Sequence, residues 1–278
     1  MISSDEFSTL RLSVAEGVGL LCLDAPEKRN AMTPQLTAEF QRAVDRLQRD
    51  EAVRAVVLTG TGTTFCAGGD LETLQAQLEW TPEQNRRHMA EFYRAYLSIL
   101  RLEVPVIAAL NGHAIGAGVC LALGCDIRLA AAGAKLGVTF LNLGLHPGMG
   151  TTHLLPQAVG YANAAELIFT GRVVDAEEAL RMGLVSRVVP ASELLEASLA
   201  IAREIAAKPS NPVRMAKRAL VRQKLSDLEA ALDYEAAAQM NSFASAEMRE
   251  AIASLRRPRS VAGGANEKKG DGTSSLPG

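Results

Sequence analysis

Short apolar runs alternate along this chain with segments whose apolar residues recur every three or four positions. Val18–Leu23, Val53–Thr59 and Val104–Leu110 have strand length and lie between polar or turn-forming residues. They read as buried strands, though periodicity alone does not separate so short a run from a helix. Thr9–Leu12 alternates only weakly. Leu36, Phe40, Ala43, Val44 and Leu47 share one helical face, with Thr33 as the cap and Pro34 in the first turn. Glu72–Arg87 is polar and less regular, and reads as a helical flap around Trp80; Met89–Leu100 reads as a helix. Beyond the third run, Ile127 begins a strand-like segment and Lys135–Phe140 a short strand or turn. Helical spacing marks Thr151–Val159, Asn163–Leu167 and the segment capped by Asp175. Gly183–Pro190 holds a last short strand. Helices are then predicted at about 192–207, 212–223 and 227–255, the last interrupted near Ser242–Ser245. The tail from Pro258 is poor in apolar residues and is predicted to be disordered. Strand–turn–helix, repeated about four times before a helical C-terminal third, predicts an α/β fold with parallel pairing.

Two turns stand out. After Val104–Leu110 come Asn111-Gly112, a strong turn signal, then Gly116-Ala117-Gly118 and the apolar segment Val119–Gly124, which fits a buried helix. Phe65-Cys66-Ala67-Gly68-Gly69-Asp70-Leu71 is a second small-residue turn running into a helix. The free N–H groups of a helix's first turn attract negative charge, and small residues let an oxygen reach the backbone. Either turn alone suits a phosphate or an oxyanion. Together they suit one oxygen clasped by two N–H groups, which is what an acyl group needs as it becomes an enolate or a tetrahedral anion. Asp70 is placed to cap the helix that follows.

Composition narrows the partners. The 278 residues are 48% hydrophobic and 22% charged, with a net charge of −2. That balance implies no nucleic-acid partner. Cys22, Cys66, Cys120 and Cys125 form no CxxC pair and read as reduced core cysteines of a cytoplasmic protein. There is no basic-then-apolar leader and no 18-residue apolar run, so neither secretion nor a membrane span is indicated. His88, His113, His146 and His153 have no metal-ligand spacing, and no metal is expected. Gly112-x3-Gly116-x-Gly118 lacks the acidic partner of a dinucleotide site. There is no GxSxG elbow for a serine hydrolase.

The turns carry a further reading. With Pro26-Glu-Lys-Arg-Asn-Ala31, Phe65–Leu71, Asn111–Gly118, Cys125-Asp126-Ile-Arg, Gly144-Leu-His-Pro-Gly148, Thr170-Gly171-Arg, Ala179–Val185 and Ala216–Leu220, the sequence resembles the crotonase superfamily of enoyl-CoA hydratases and isomerases over about residues 8–258. The resemblance implies a ββα spiral core (1–195) with an acyl-CoA site, a C-terminal helical trimerisation region (196–258) and a tail (259–278). It implies a trimer or a dimer of trimers, and coenzyme A as part of the substrate thioester, with no permanently bound cofactor. The thioester oxygen would take hydrogen bonds from the N–H groups of Gly69 and Ala117. Lys28, Arg29, Ala31, Ala67, Gly69, Asp70 and Leu71 would line the coenzyme.

On this register the family's two catalytic glutamates fall at Cys120 and Phe140. A buried thiol is a poor base near neutral pH, and phenylalanine moves no proton. Ordinary hydration therefore lacks both acid–base groups, and Leu129–His153 contains no Glu or Asp to replace them. His146 is the candidate replacement, because an imidazole titrates near neutrality. The expectation is an acyl-CoA-processing lyase or isomerase, decarboxylation and hydrolysis included. The alternative is a non-catalytic acyl-CoA-binding or scaffolding oligomer.

Overall fold

A computed structural model describes residues 6–256; the tail expected to be disordered, 259–278, lies outside them. The strands are β1 (Leu10–Ala15), β2 (Val18–Leu23), β3 (Ala55–Gly60), β4 (Thr64–Cys66), β5 (Val106–Leu110), β6 (His113–Ile115), β7 (Ile127–Ala131), β8 (Lys135–Gly137), β9 (Val173–Asp175) and β10 (Arg187–Val189). The helices are α1 (Pro34–Arg49), α2 (Leu71–Gln77), α3 (Pro82–Leu97), α4 (Ala117–Leu123), α5 (Thr151–Thr170), α6 (Ala176–Arg181), α7 (Leu194–Ala206), α8 (Ser210–Leu225), α9 (Leu228–Phe243) and α10 (Ala246–Arg256).

The strands form two sheets. A six-stranded sheet has the order β1-β2-β3-β5-β7-β10, parallel except for the β1–β2 hairpin. A four-stranded sheet of three-residue strands has the order β4-β6-β8-β9. Each spiral turn contributes a strand to both: β3 then β4, β5 then β6, β7 then β8. The alternation of the sequence predicts the larger sheet. Of the smaller one, only β8 falls in a stretch that reads as a short strand or turn, because three residues are too few to show a period.

The helices follow their local chemistry. Thr33 caps α1 by accepting the Leu36 N–H at 3.1 Å, and the predicted face is buried. The flap is two regular helices rather than an irregular one. Asp70 caps α2, and α3 opens at Pro82 with a reciprocal Thr81–Gln84 capping box. The predicted break between Val159 and Asn163 is a kink at Gly160, and Ala244-Ser245 divides α9 from α10. In the C-terminal third, α9 packs along α3 while α10 covers the 3-10 turn Phe140–Leu143. Arg249 of α10 ties this cover to the flap through Glu79 at 2.9 Å and the Leu78 carbonyl.

Glu39 pins the start of the chain to α1. Its carboxylate accepts from the backbone and hydroxyl groups of Ser8 and Thr9, the shortest contact being 2.7 Å from Thr9 Oγ1. Burial by itself would raise the carboxyl's pKa, but the hydrogen bonds from Thr9 and Ser8 outweigh it and hold it at about 2. A carboxyl lowered in the folded state stabilises above its unfolded pKa, and that contribution is lost as pH falls toward the folded value. Glu39→Gln is therefore expected to cost on the order of 2 kcal/mol at neutral pH. It should also flatten the acid limb of a urea-unfolding stability curve between about pH 4 and pH 2. An unchanged acid limb would refute this assignment.

Candidate active site

The two small-residue turns meet. Each follows a strand of the small sheet: β4 leads into Ala67-Gly68-Gly69 and β6 leads into Gly116. Gly116 donates its N–H to the Gly137 carbonyl at 2.8 Å, which extends the β6–β8 pairing up to the turn. Gly68 has φ +88°, and a Cβ there would stand 2.6 Å from the Ile115 carbonyl oxygen and 3.3 Å from the Ala117 nitrogen. A Cβ on Gly118 would collide with the Cys66 carbonyl. Only glycine lets the backbones approach this closely.

The donors of these turns are free of local acceptors. Ala117 is the first residue of α4, so its N–H has no intrahelical acceptor. Among the described residues, neither the Ala117 nor the Gly69 N–H is taken by a backbone carbonyl of a turn, loop or cap. Leu74 of α2 lies 3.5 Å from where a Gly69 Cβ would be. The Phe140 ring stands 4.0 Å from the corresponding point on Gly116. The space beside both donors is therefore walled by apolar groups.

The expected coenzyme strip runs alongside. Ala67 donates to the Arg29 carbonyl at 3.1 Å and Met32 to the Gly68 carbonyl at 2.8 Å, which zips residues 29–32 to the first turn. Arg29 and Asn30 both take positive φ. The buried Asn30 side chain holds this bend, accepting from Ala25 N–H at 2.9 Å and donating to the carbonyls of Thr61 and Thr64. Ala31 is buried and Lys28 is exposed, 3.4 Å from Glu72. Asp70 is 8% exposed, and its carboxylate accepts the Thr73 N–H and hydroxyl. Leu71 is exposed at the start of α2.

Cys120 and Phe140 flank the second turn. Cys120 is fully buried one helical turn beyond Ala117. Its thiol lies 2.8 Å from Thr151 Oγ1, 3.4 Å from the Gly116 carbonyl and 3.5 Å from the Gly148 carbonyl. Burial pushes this thiol far up, despite the hydrogen bond with Thr151. Asp126 faces elsewhere: its carboxylate holds the Val106 N–H at 2.8 Å and pairs with the buried Lys217. His113 is exposed on β6.

The His146 backbone is bound to α9, its N–H donating to Ser242 Oγ at 3.1 Å and its carbonyl accepting from Gln239 Nε2 at 2.7 Å. The ring stands edge-on to Tyr234, and Nδ1 is 2.6 Å from the Pro147 carbonyl. A carbonyl only accepts, so Nδ1 carries the proton and Nε2 is the acceptor. Among the described residues, no hydrogen bond joins this ring to Cys120 or Thr151.

Four polar side chains that the sequence reading passes over close the inner end: Tyr93 from α3, Thr151 from α5, and Glu235 and Gln239 from α9. Glu235 accepts the N–H of Gly150 at 2.6 Å and the N–H and hydroxyl of Thr152 at 2.9 and 2.6 Å. It supplies the cap that Gly150 cannot give α5. Burial raises its pKa, and these bonds pull it back only in part. The sequence signal for this group is a polar residue on an otherwise apolar helical face, which becomes visible only once that face is known.

A surface cavity of about 680 Å³ between residues 100–103 and 217–226 is lined by neither turn and by none of Cys120, His146, Tyr93, Thr151, Glu235 and Gln239. Among the described residues no cluster of three or more His, Cys, Asp or Glu is placed to hold a metal, and no helix is long and apolar enough to cross a membrane.

A spiral of paired strands and helices carrying two meeting backbone turns is the crotonase fold. The chain belongs to the enoyl-CoA hydratase/isomerase family, whose model matches residues 13–259. It is 36% identical over 253 residues, 91% of this chain and 96% of the relative, to a Mycobacterium bovis protein named "Probable enoyl-CoA hydratase echA8". It is 32% identical over 259 residues to the short-chain-enoyl-CoA hydratase of Clostridium acetobutylicum, covering 93% of this chain and 98% of that one. Among solved structures it is similar to an enoyl-CoA hydratase/isomerase from Pseudoalteromonas atlantica. That match has a TM-score of 0.81 and 34% identity, over 89% of this chain and 96% of the other.

The Gly118→Ala substitution is expected to force Cys66 and α4 apart and to cost about 2–4 kcal/mol, read as a lower midpoint in denaturant unfolding. A midpoint unchanged within error would show that the turns do not depend on this contact.

Proposed function

We propose that this chain is an acyl-CoA-processing enzyme that stabilises a thioester enolate through the N–H groups of Gly69 and Ala117. The observation that carries this reading is the contact between two turns whose N–H groups have no backbone acceptor. A base removes the proton on the carbon next to the thioester. The electron pair moves onto the thioester oxygen, where two fixed donors cost no reorganisation. Lys28, Arg29, Ala31 and Ala67–Leu71 hold the coenzyme A portion. Protonation of the enolate at another carbon gives an isomerase. Loss of CO2 from a carboxylate on the carbon next to the thioester leaves its electron pair in the same enolate and gives a decarboxylase. Attack of water on the thioester carbon puts a tetrahedral anion's charge on the same oxygen before the coenzyme thiol leaves, and gives a hydrolase.

Ordinary hydration is not the reaction we assign. Cys120 is buried with its thiol far above neutral pH, and Phe140 has nothing to donate. His146 is the proposed proton-moving group, with Nε2 free to accept while Nδ1 is held by Pro147. The binding-only alternative rests on the same two replacements.

The chain is also proposed to assemble as a trimer or a dimer of trimers. Tyr161 and Phe169 on α5 and Leu220 on α8 are more than 70% exposed, which favours covered faces in an assembly. Light scattering should give three or six times the chain mass; a monomer would refute it.

Exchange of the α-protons of butyryl-CoA in heavy water, followed by NMR, reads enolate formation whatever the final product. Ala117→Pro keeps a residue tolerated at the first helical position but removes the donor. It is expected to slow exchange by about 10²- to 10³-fold, and His146→Ala by at least about 10²-fold. No exchange in the parent protein favours the binding-only alternative. Intact exchange in the His146 variant makes that residue structural. Rapid hydration of crotonyl-CoA would overturn the assignment of reaction class.

A further inference from the structure

The cavity of about 680 Å³ lies between α8 and the segment that begins with the 3-10 turn Ser98–Arg101. Its apolar wall is Leu100, Leu102, Val221 and Leu225. The first three are buried, and Leu225 leaves 44% of its surface to solvent. A smaller hollow of about 180 Å³ shares Leu100, Arg101 and Leu225 with it and runs on past Leu97 and Leu228 to α9. The two make one groove with an apolar wall. The charged lining of its larger part is four cations, Arg101, Lys217, Arg218 and Arg222, against one acid, Glu103.

Most of the cations in the groove already have a counter-charge. Glu103 takes Arg214 at 3.3 Å and Arg218 at 2.7 Å. Lys217 is held by Asp126. Arg94, in the smaller hollow, is held by Glu229 and Asp233 at 3.0 and 3.1 Å. Among the described residues, Arg101 and Arg222 have neither an ion pair nor a side-chain hydrogen bond, and both line the larger cavity. One comes from the 3-10 turn and the other from α8, so tertiary packing brings the two uncompensated charges to one apolar wall. Like charges at such a wall repel, and an anion between them turns the repulsion into attraction.

The rest of the lining says what kind of anion fits. A guanidinium offers paired N–H donors to a carboxylate or a phosphate. No aromatic ring lines either hollow, so nothing stacks a nucleobase. Ser226 is the only uncharged polar side chain in the lining, so little is offered to the hydroxyls of a sugar or the amides of a peptide. A plain alkyl chain needs nothing beyond the leucines and the valine. The volume is that of a small-molecule site, about 300–1,000 Å³.

We propose that this groove binds a single-chain aliphatic anion. Arg101 and Arg222 take its carboxylate or phosphate, and Leu100, Val221 and Leu225 take the chain. The groove shares no residue with the two facing turns or the coenzyme strip, so the proposal stands apart from the acyl-CoA reading.

The test is isothermal titration calorimetry of the full chain with octanoate, octyl phosphate, octanol and acetate. The parent should bind octanoate or octyl phosphate at least about tenfold more tightly than octanol, which lacks the charge, and than acetate, which lacks the chain. The preferred anion names the head group. Arg101→Gln combined with Arg222→Gln should weaken that binding at least about tenfold, as should Leu225→Asp, with circular dichroism and the response to butyryl-CoA as in the parent. No binding to the parent, equal binding of octanol or acetate, or binding that survives the double substitution would overturn the proposal. Displacement of the anion by saturating butyryl-CoA would place it in the acyl site and overturn it too. Light scattering should give the double variant the mass of the parent; a smaller mass would mean that the two arginines face a second copy of the chain, and would overturn the proposal.

Discussion

The structure depends on a close approach between two pieces of backbone. The strand end at Cys66–Gly68 lies against Ile115–Gly118 with no side chain between them. Neither segment could hold this position alone. The small sheet supplies the alignment, since β4, β6 and β8 run parallel and end at the same edge. The larger sheet fixes where each short strand begins. Backbone N–H groups placed this way keep their direction without side-chain entropy to lose. The donors are thus a property of the fold more than of any one side chain. Gly69 and Ala117 keep their N–H groups whatever side chains stand at 120 and 140.

The inner end of the site follows different physics. Polar groups buried at low dielectric are costly unless paired. Glu235 is paired three times, and its bonds go to the first turn of α5, where the helix dipole favours a carboxylate. Cys120 is paired with Thr151. Tyr93 and Gln239 Oε1 are not paired. The contrast is informative because all four lie within one cluster around Gly148. The satisfied groups there hold the loop at Gly148–Thr152.

Much of this was legible in the residues, for reasons that also explain what was not. The β5–turn–α4 unit reads directly, because an apolar run, Asn-Gly and small residues each mean one thing locally. Thr33-Pro34 identifies the start of α1. Thr81-Pro82 carries the same signal for α3, yet the polar residues after it hide the helix until the Thr81–Gln84 box is seen. Of the small sheet only β8 reads as a short strand or turn; Thr64–Cys66 and His113–Ile115 are too short to alternate. The two facing turns can be found from glycines, whose meaning is local. Tyr93, Glu235 and Gln239 cannot, because their meaning comes from α3, α5 and α9 packing together across more than a hundred residues of chain.

That last dependence bears on how the protein is made. Glu235 reaches back 85 residues to cap α5, and Gln239 reaches back 93 to hold the His146 carbonyl. Contacts of such separation form late, after loop-closure entropy has been overcome. During synthesis the N-terminal part of a chain emerges first, so the two sheets and their facing turns are available before α9 exists. The Gly148–Gly150 loop must wait, its N–H groups open to solvent, until α9 has left the ribosome and docked. The half of the site made of backbone belongs to the early fold. The part made of side chains from α3, α5 and α9 is assembled last.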